Sequence, residues 1–146
     1  MTIFIDADAC PVVEITVVAA KKRNIPVVLL CDTNHIMSAG YAKVITVDQG
    51  SDSVDYALVN LCGKGDIVVT QDYGVAAMAL SKGSRVIHQS GLIYSDANID
   101  GLLDNRYLAG KARRSSSKCH FKGPKKRTPE DDESYKKSLL SLLEES

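Results

Sequence analysis

The first apolar run of the chain, Ile3-Phe4-Ile5, stops on Asp6. Short runs of this kind, alternating with helix-like stretches, restrict the fold more than any other feature. A run this short bounded by turn residues reads as a buried strand. Pro11 suits the first turn of a helix, where its missing N–H is not needed, and Lys21, Lys22 and Arg23 complement the negative end of that helix. Pro26-Val27-Val28-Leu29-Leu30 and Lys43-Val44-Ile45-Thr46-Val47 read as the second and third strands. Ser51 is placed to cap the next helix, in which Val54, Ala57, Leu58, Leu61 and Cys62 share one face. Asp66-Ile67-Val68-Val69-Thr70 is a fourth strand, Asp72 opens a helix with Val75, Met78, Ala79 and Leu80 facing inward, and Arg85-Val86-Ile87 is a fifth strand. Strands alternating with helices predict a mostly parallel sheet covered by helices on both faces, a three-layer α/β/α sandwich.

Beyond residue 90 the pattern changes. Residues 96–113 have helical character and Ser115-Ser116-Ser117 reads as loop. Thr128-Pro129-Glu130-Asp131 resembles a capped helix start, with Asp131 where a capping box usually has Glu or Gln. The helix that follows, about 129–145, carries Tyr135, Leu139, Leu142 and Leu143 at core spacing. A length of 146 residues predicts one domain. With no Trp and two Phe, its core must be aliphatic. No run approaches the roughly 20 apolar residues of a membrane span, and the N-terminus has no signal-peptide pattern. Cys10, Cys31, Cys62 and Cys119 form no C-x-x-C. Reduced thiols and a cytoplasmic location are therefore the expectation.

Aspartates stand where strands turn into helices. Asp6 and Asp8 follow the first strand, Asp48 the third, with Asp52 and Asp55 just beyond, and Asp72 the fourth. In a parallel sheet the C-terminal strand ends share one side, where such folds bind ligands. Carboxylates gathered there repel one another unless a cation neutralises them. Oxygen ligands without His or Cys suit Mg²⁺ or Mn²⁺ rather than zinc. A bound divalent ion activates water and stabilises the charge that develops in phosphate-ester cleavage. Each aspartate also has a structural reading: Asp72 as a helix cap, Asp52 at a helix's positive end, Asp55 facing water and Asp8 shaping the turn before Pro11. One cap needs no acidic neighbours, whereas a metal site needs several, so the set favours metal. Asp66 lies at the opposite end of its strand. Cys10 reads as a buried small residue rather than a nucleophile, and the three histidines have no metal spacing.

The net charge of zero conceals a strong asymmetry. Residues 1–105 carry 12 acidic and 7 basic side chains, a net of −5, while residues 106–127 carry 9 basic and no acidic ones. This basic segment includes Arg113, Arg114, Lys118, Lys122, Lys125, Lys126 and Arg127, with Tyr107, His120 and Phe121 interleaved. Phosphate backbone is its natural partner, and the aromatic rings could stack on bases. The alternatives are a solvated segment or one folded back on the acidic edge.

Four stretches resemble the YaiI/YqxD family of uncharacterised bacterial proteins: Ile5-Asp6-Ala7-Asp8-Ala9-Cys10-Pro11, Asp48-Gln49-Gly50-Ser51-Asp52-Ser53-Val54-Asp55, Val69-Thr70-Gln71-Asp72-Tyr73-Gly74 and Lys122-Gly123-Pro124-Lys125-Lys126-Arg127-Thr128. That family looks like part of the PIN-like group, which includes Mg²⁺- or Mn²⁺-dependent ribonucleases. The resemblance implies a compact sandwich with an acidic pocket. Asp6, Asp52 or Asp55, and Asp72 would match the group's acids, with Asp8 as an extra carboxylate. A metal-dependent nuclease with RNA as its expected substrate leads the functional readings. Asp6-x-Asp8 with Thr70 also resembles the haloacid-dehalogenase phosphatases, although Cys10 replaces their expected Thr or Val and no catalytic Lys stands out. A non-catalytic nucleic-acid-binding module is the third reading.

Overall fold

The computed structural model describes residues 1–7, 10–32, 40–47, 53–103 and 127–144. Six strands form one sheet: β1 (Ile3–Asp6), β2 (Val27–Asp32), β3 (Lys43–Val47), β4 (Ile67–Val69), β5 (Arg85–Ile87) and β6 (Ile93–Tyr94). Their order is β3-β2-β1-β4-β5-β6. The first five are parallel, and β6 returns antiparallel beside β5. Helices α1 (Val13–Lys22), α2 (Ser53–Leu61), α3 (Tyr73–Ser81), α4 (described over 96–103) and α5 (Pro129–Glu144) complete the fold.

Alternation along each strand sorts the core into two layers. Ile3, Ile5, Val27, Leu29, Ile67, Val69 and Ile87 pack with α1 and α5. Phe4, Leu30, Val68 and Val86 point the other way, toward α2, α3 and α4. The sheet is therefore covered on both faces, and its central strands are continuously apolar for that reason. Tyr135, Leu139, Leu142 and Leu143 are the buried face of α5, as their spacing predicts. The Tyr135 hydroxyl lies 2.6 Å from Thr16 Oγ1, which donates its own hydrogen to the Val12 carbonyl, so Tyr135 donates to Thr16 and ties α5 to α1.

The predicted elements differ from the observed ones in detail. Helix α1 starts at Val13, two residues beyond Pro11, and β2 continues to Asp32. Leu61 and Met78 were expected inside but are 49% and 40% exposed. Strand β6 was not anticipated. Of the helical stretch expected over 96–113, residues 96–103 are helical and the remainder lies outside the described residues, as do Ser51 and the serine loop. Thr128 and Asp131 form the expected capping box: the Thr128 N–H donates to Asp131 Oδ2 at 2.8 Å, and Asp131 N–H donates back to Thr128 Oγ1 at 3.4 Å. Asp66 braces the opposite, N-terminal end of the sheet by accepting from the N–H groups of Thr2 and Gly63. Among the described residues, no helix is long and apolar enough to cross a membrane.

Candidate active site at the C-terminal sheet edge

The chain leaves β1 to build β2 and β3 on one side, then returns through α2 to build β4 on the other. Ligands bind at such a reversal, outside the C-terminal strand ends. Asp6 ends β1, and Thr70 directly follows β4, its neighbour in the sheet. The Thr70 hydroxyl donates to Asp6 Oδ2 at 3.4 Å and accepts the Asp72 N–H at 3.0 Å. Thr70 is 2% exposed, and it carries the bridge from a buried side chain to two half-buried aspartates. Asp72 Oδ1 accepts from the N–H groups of Gly74 and Val75 at 2.8 and 3.2 Å, which makes it the N-cap of α3. The structural reading of Asp72 is thus realised, and it holds the residue beside the strand end. Helix α2 runs from the C-terminal end of β3 back toward the start of β4, so its first turn, with half-buried Asp55, lies at the same edge.

Asp8, Asp48 and Asp52 lie outside the described residues, as do Arg113, Arg114, Lys118, Lys122, Lys125 and Lys126. Among the described residues, no three His, Cys, Asp or Glu side chains form a group that could hold a metal.

A small cleft at this edge is lined by Asp6, Cys10, Val69, Thr70, Gln71 and Gln89. Burial raises the pKa of Cys10 most, the Val12 N–H opposes it, and the charges of Asp6 and Arg127 follow with smaller raising and lowering effects. Its thiol is therefore protonated at neutral pH, consistent with the small-residue reading rather than a nucleophile.

One strand further along, His88 follows β5 as Thr70 follows β4. Its Nδ1 accepts the Ser90 N–H at 3.0 Å and lies 2.8 Å from Ser90 Oγ. The proton of the neutral ring consequently sits on Nε2. Burial, then the charge of Arg127, lowers the His88 pKa and keeps the ring neutral. His88 and Tyr73 each meet the buried Tyr94 ring edge-on, and the Tyr94 hydroxyl donates to the Thr70 carbonyl at 3.4 Å. Burial, with smaller contributions from Tyr73 and Asp72, raises the Tyr94 pKa, so this hydroxyl stays protonated.

Arg127, the last residue of the basic segment, immediately precedes the Thr128 cap of α5. Its Nε bonds to Asp132 Oδ1 at 2.7 Å, while its buried Nη2 has no hydrogen-bond partner. The sequence pairs Thr70 with Asp6 only through the phosphatase resemblance, and it gives no sign of the hydrogen bond to Asp72, the Gln71 and Gln89 lining, or the setting of His88. The available signal was position: Thr70 and His88 each stand at the C-terminal end of an apolar run.

The strand order defines an open, doubly wound α/β protein, with Asp6 and Asp72 at the C-terminal strand ends. Residues 4–145 match the family described as "Uncharacterized BCR, YaiI/YqxD family". A UPF0178 protein of Clostridium acetobutylicum is 57% identical over 143 residues, covering 98% of this chain and 97% of the relative. A UPF0178 protein of Ruminiclostridium cellulolyticum is 53% identical, covering 98% of this chain and 92% of the relative. The chain belongs to the YaiI/YqxD family. No solved structure matches it.

Proposed function

We propose that this protein is a divalent-metal-dependent nuclease acting on RNA. The reading is carried by one observation: Asp6 at the end of β1 and Asp72 at the N-cap of α3, just beyond the neighbouring β4, are linked through buried Thr70 at the reversal point. Motif resemblance to the PIN-like ribonucleases supports the same chemistry. The described donors at this edge are carboxylate and hydroxyl oxygens, with the neighbouring thiol protonated, a set that suits Mg²⁺ or Mn²⁺. Mg²⁺ commonly takes only one or two protein carboxylates and keeps several waters. Asp6 and Asp72 would hold the ion, with Asp8, Asp52 and Asp55 as further ligands, directly or through water. When bound, the ion would polarise the phosphate and lower the pKa of water.

The remaining work falls to the chain itself. Thr70 orients the Asp6 carboxylate, and the α3 N–H groups fix Asp72. Lys122, Lys125 and Lys126, with Arg113, Arg114 and Lys118, would hold the RNA backbone that the carboxylates repel. The test is cleavage of single-stranded RNA by purified protein with millimolar Mn²⁺ or Mg²⁺. Asp6→Asn should remain folded and lose at least a hundredfold in rate, and EDTA should stop the native enzyme. Equal cleavage by native and Asp6→Asn proteins would overturn the reading. RNA binding without turnover under either ion would favour the binding-module alternative.

The Thr70–Asp6 contact also favours a second reading, a phosphatase. Asp6 would attack phosphorus, the ester oxygen would leave, and water would hydrolyse the resulting aspartyl phosphate. Trapping a phosphoaspartate on Asp6 during turnover of a phosphomonoester would decide for it.

A further inference from the structure

Helices α1 and α5 lie side by side and run the same way. Helix α1 joins the parallel strands β1 and β2, so it returns from the C-terminal strand ends to the N-terminal ones. Helix α5 keeps that direction. In the turn between β5 and β6, a Cβ added at Gly91 would lie 2.7 Å from the Ser134 carbonyl oxygen. At the other end of β5, Arg85 donates from Nη1 to the Leu142 carbonyl at 2.8 Å. The Tyr135–Thr16 hydrogen bond fixes the register of the two helices.

An open groove runs between them, and its lining is polarised. Glu14, Asp132 and Glu133 stand at the end nearer the Asp6 edge, while Lys22 and Arg23 stand at the other. Asp132 already bonds to Arg127, so the acidic end rests on Glu14 and Glu133. Ile15, Val18, Lys136 and Leu140 lie between the two ends. Val18 is 50% exposed, although it stands at the middle of this face.

The stripe along α1 has a symmetry of its own. Glu14, Val18 and Lys22 are spaced four residues apart, so they stack along one side of the helix. Read in one direction the stripe is acidic, apolar, basic, and read in the other it is basic, apolar, acidic. Two copies laid antiparallel therefore match. Each Glu14 meets a Lys22, and the two Val18 side chains meet in the middle. A twofold contact demands a surface that is complementary to itself in this way.

We propose that the α1–α5 groove is the twofold interface of a homodimer, with α1 antiparallel to α1 of a second copy and the axis at Val18. Ile15 and Leu140 of each copy enlarge the apolar centre. Glu133 joins Glu14, and Arg23 joins Lys22, at the charged ends. The apolar centre supplies most of the affinity, and the charged ends set the antiparallel orientation. Because α1 starts beside the Asp6 edge, this packing sends the two acidic edges to opposite ends of the dimer. The interface does not depend on the nuclease reading.

The test is sedimentation velocity of the full chain across the micromolar range. The native protein should sediment as a dimer. Val18→Glu sets two carboxylates against each other at the axis and should give a folded monomer. Should that variant fail to fold, Val18→Ser should weaken dimerisation several-fold. Glu14→Lys and Lys22→Glu each bring like charges together and should weaken dimerisation at least tenfold. The double variant Glu14→Lys/Lys22→Glu restores opposite charges in every pair and should recover most of that loss. Both changes oppose the dipole of α1, so damage to the helix would add up in the double variant instead of cancelling. A native monomer at every concentration would overturn the interface and leave the groove to another occupant. A dimer that survives Val18→Glu, or a double variant as weak as the single ones, would overturn it too.

Discussion

Thr70 binds Asp6 with its hydroxyl hydrogen and receives the Asp72 N–H on its oxygen, so one buried side chain spans both halves of the acidic edge. Thr70→Val keeps the shape and removes the hydroxyl. The Asp72 N–H then loses its acceptor, at a cost of about 1–3 kcal/mol. Thr70→Ser retains the hydroxyl and should recover most of that stability. Urea unfolding of the two variants checks this. Native-like stability in Thr70→Val beside a loss in Thr70→Ser would mean that the methyl group, not the bridge, is what the site needs.

Asp72→Asn separates the cap from the chemistry. Asn caps a helix about as well as Asp, so unfolding free energy should change by less than about 0.5 kcal/mol. If Asp72 also serves the proposed ion, RNA cleavage should fall at least tenfold, equivalent to about 1.4 kcal/mol in the barrier. Undiminished cleavage would return Asp72 to capping alone.

The sequence carries the local part of this fold and little of the non-local part. Thr128 and Asp131 lie three residues apart, so their capping box is readable directly. Tyr135, Leu139, Leu142 and Leu143 are legible because α5 presents a single face to the core. Leu61 and Met78 show where periodicity stops. Spacing gives a residue's angle around a helix, but not how much of that arc a neighbour covers. Strand β6 has two residues, too few for any period. Asp6 and Asp72 could be placed at one edge from strand direction, but the pairing of β1 with β4, which sets Thr70 between them, is a tertiary fact. Metal spacing says nothing of the setting of His88, which comes from a turn to Ser90 and from Tyr94 across the sheet edge.

Gly91→Ala should be costly for two reasons. Gly91 has φ +96°, which an L side chain rarely adopts, and the new Cβ would meet the Ser134 oxygen, helix backbone that cannot rotate away. We expect a loss of about 2–4 kcal/mol. At roughly 3 °C per kcal/mol for a chain of this size, the melting temperature should fall by about 6–12 °C. A melting temperature within 2 °C of native, measured by calorimetry, would show that the turn and α5 can separate freely.

His88 should leave a signature in the pH dependence of stability. Burial first, and Arg127 second, lower its pKa in the folded protein below the ordinary 6.5. The unfolded chain therefore takes up more protons than the native one across that interval, so stability rises with pH there. The contribution is present above the unfolded pKa and is lost as pH falls through the folded one. His88→Gln has no proton to take up at this position. Its stability should thus decline less than the native protein's between pH 7.5 and 5, read from urea unfolding at each pH. The ring itself offers a second check. In Arg127→Gln the His88 pKa, followed by NMR, should climb part of the way toward 6.5, because burial remains when the guanidinium is gone. An unmoved titration would mean that burial alone lowers the His88 pKa.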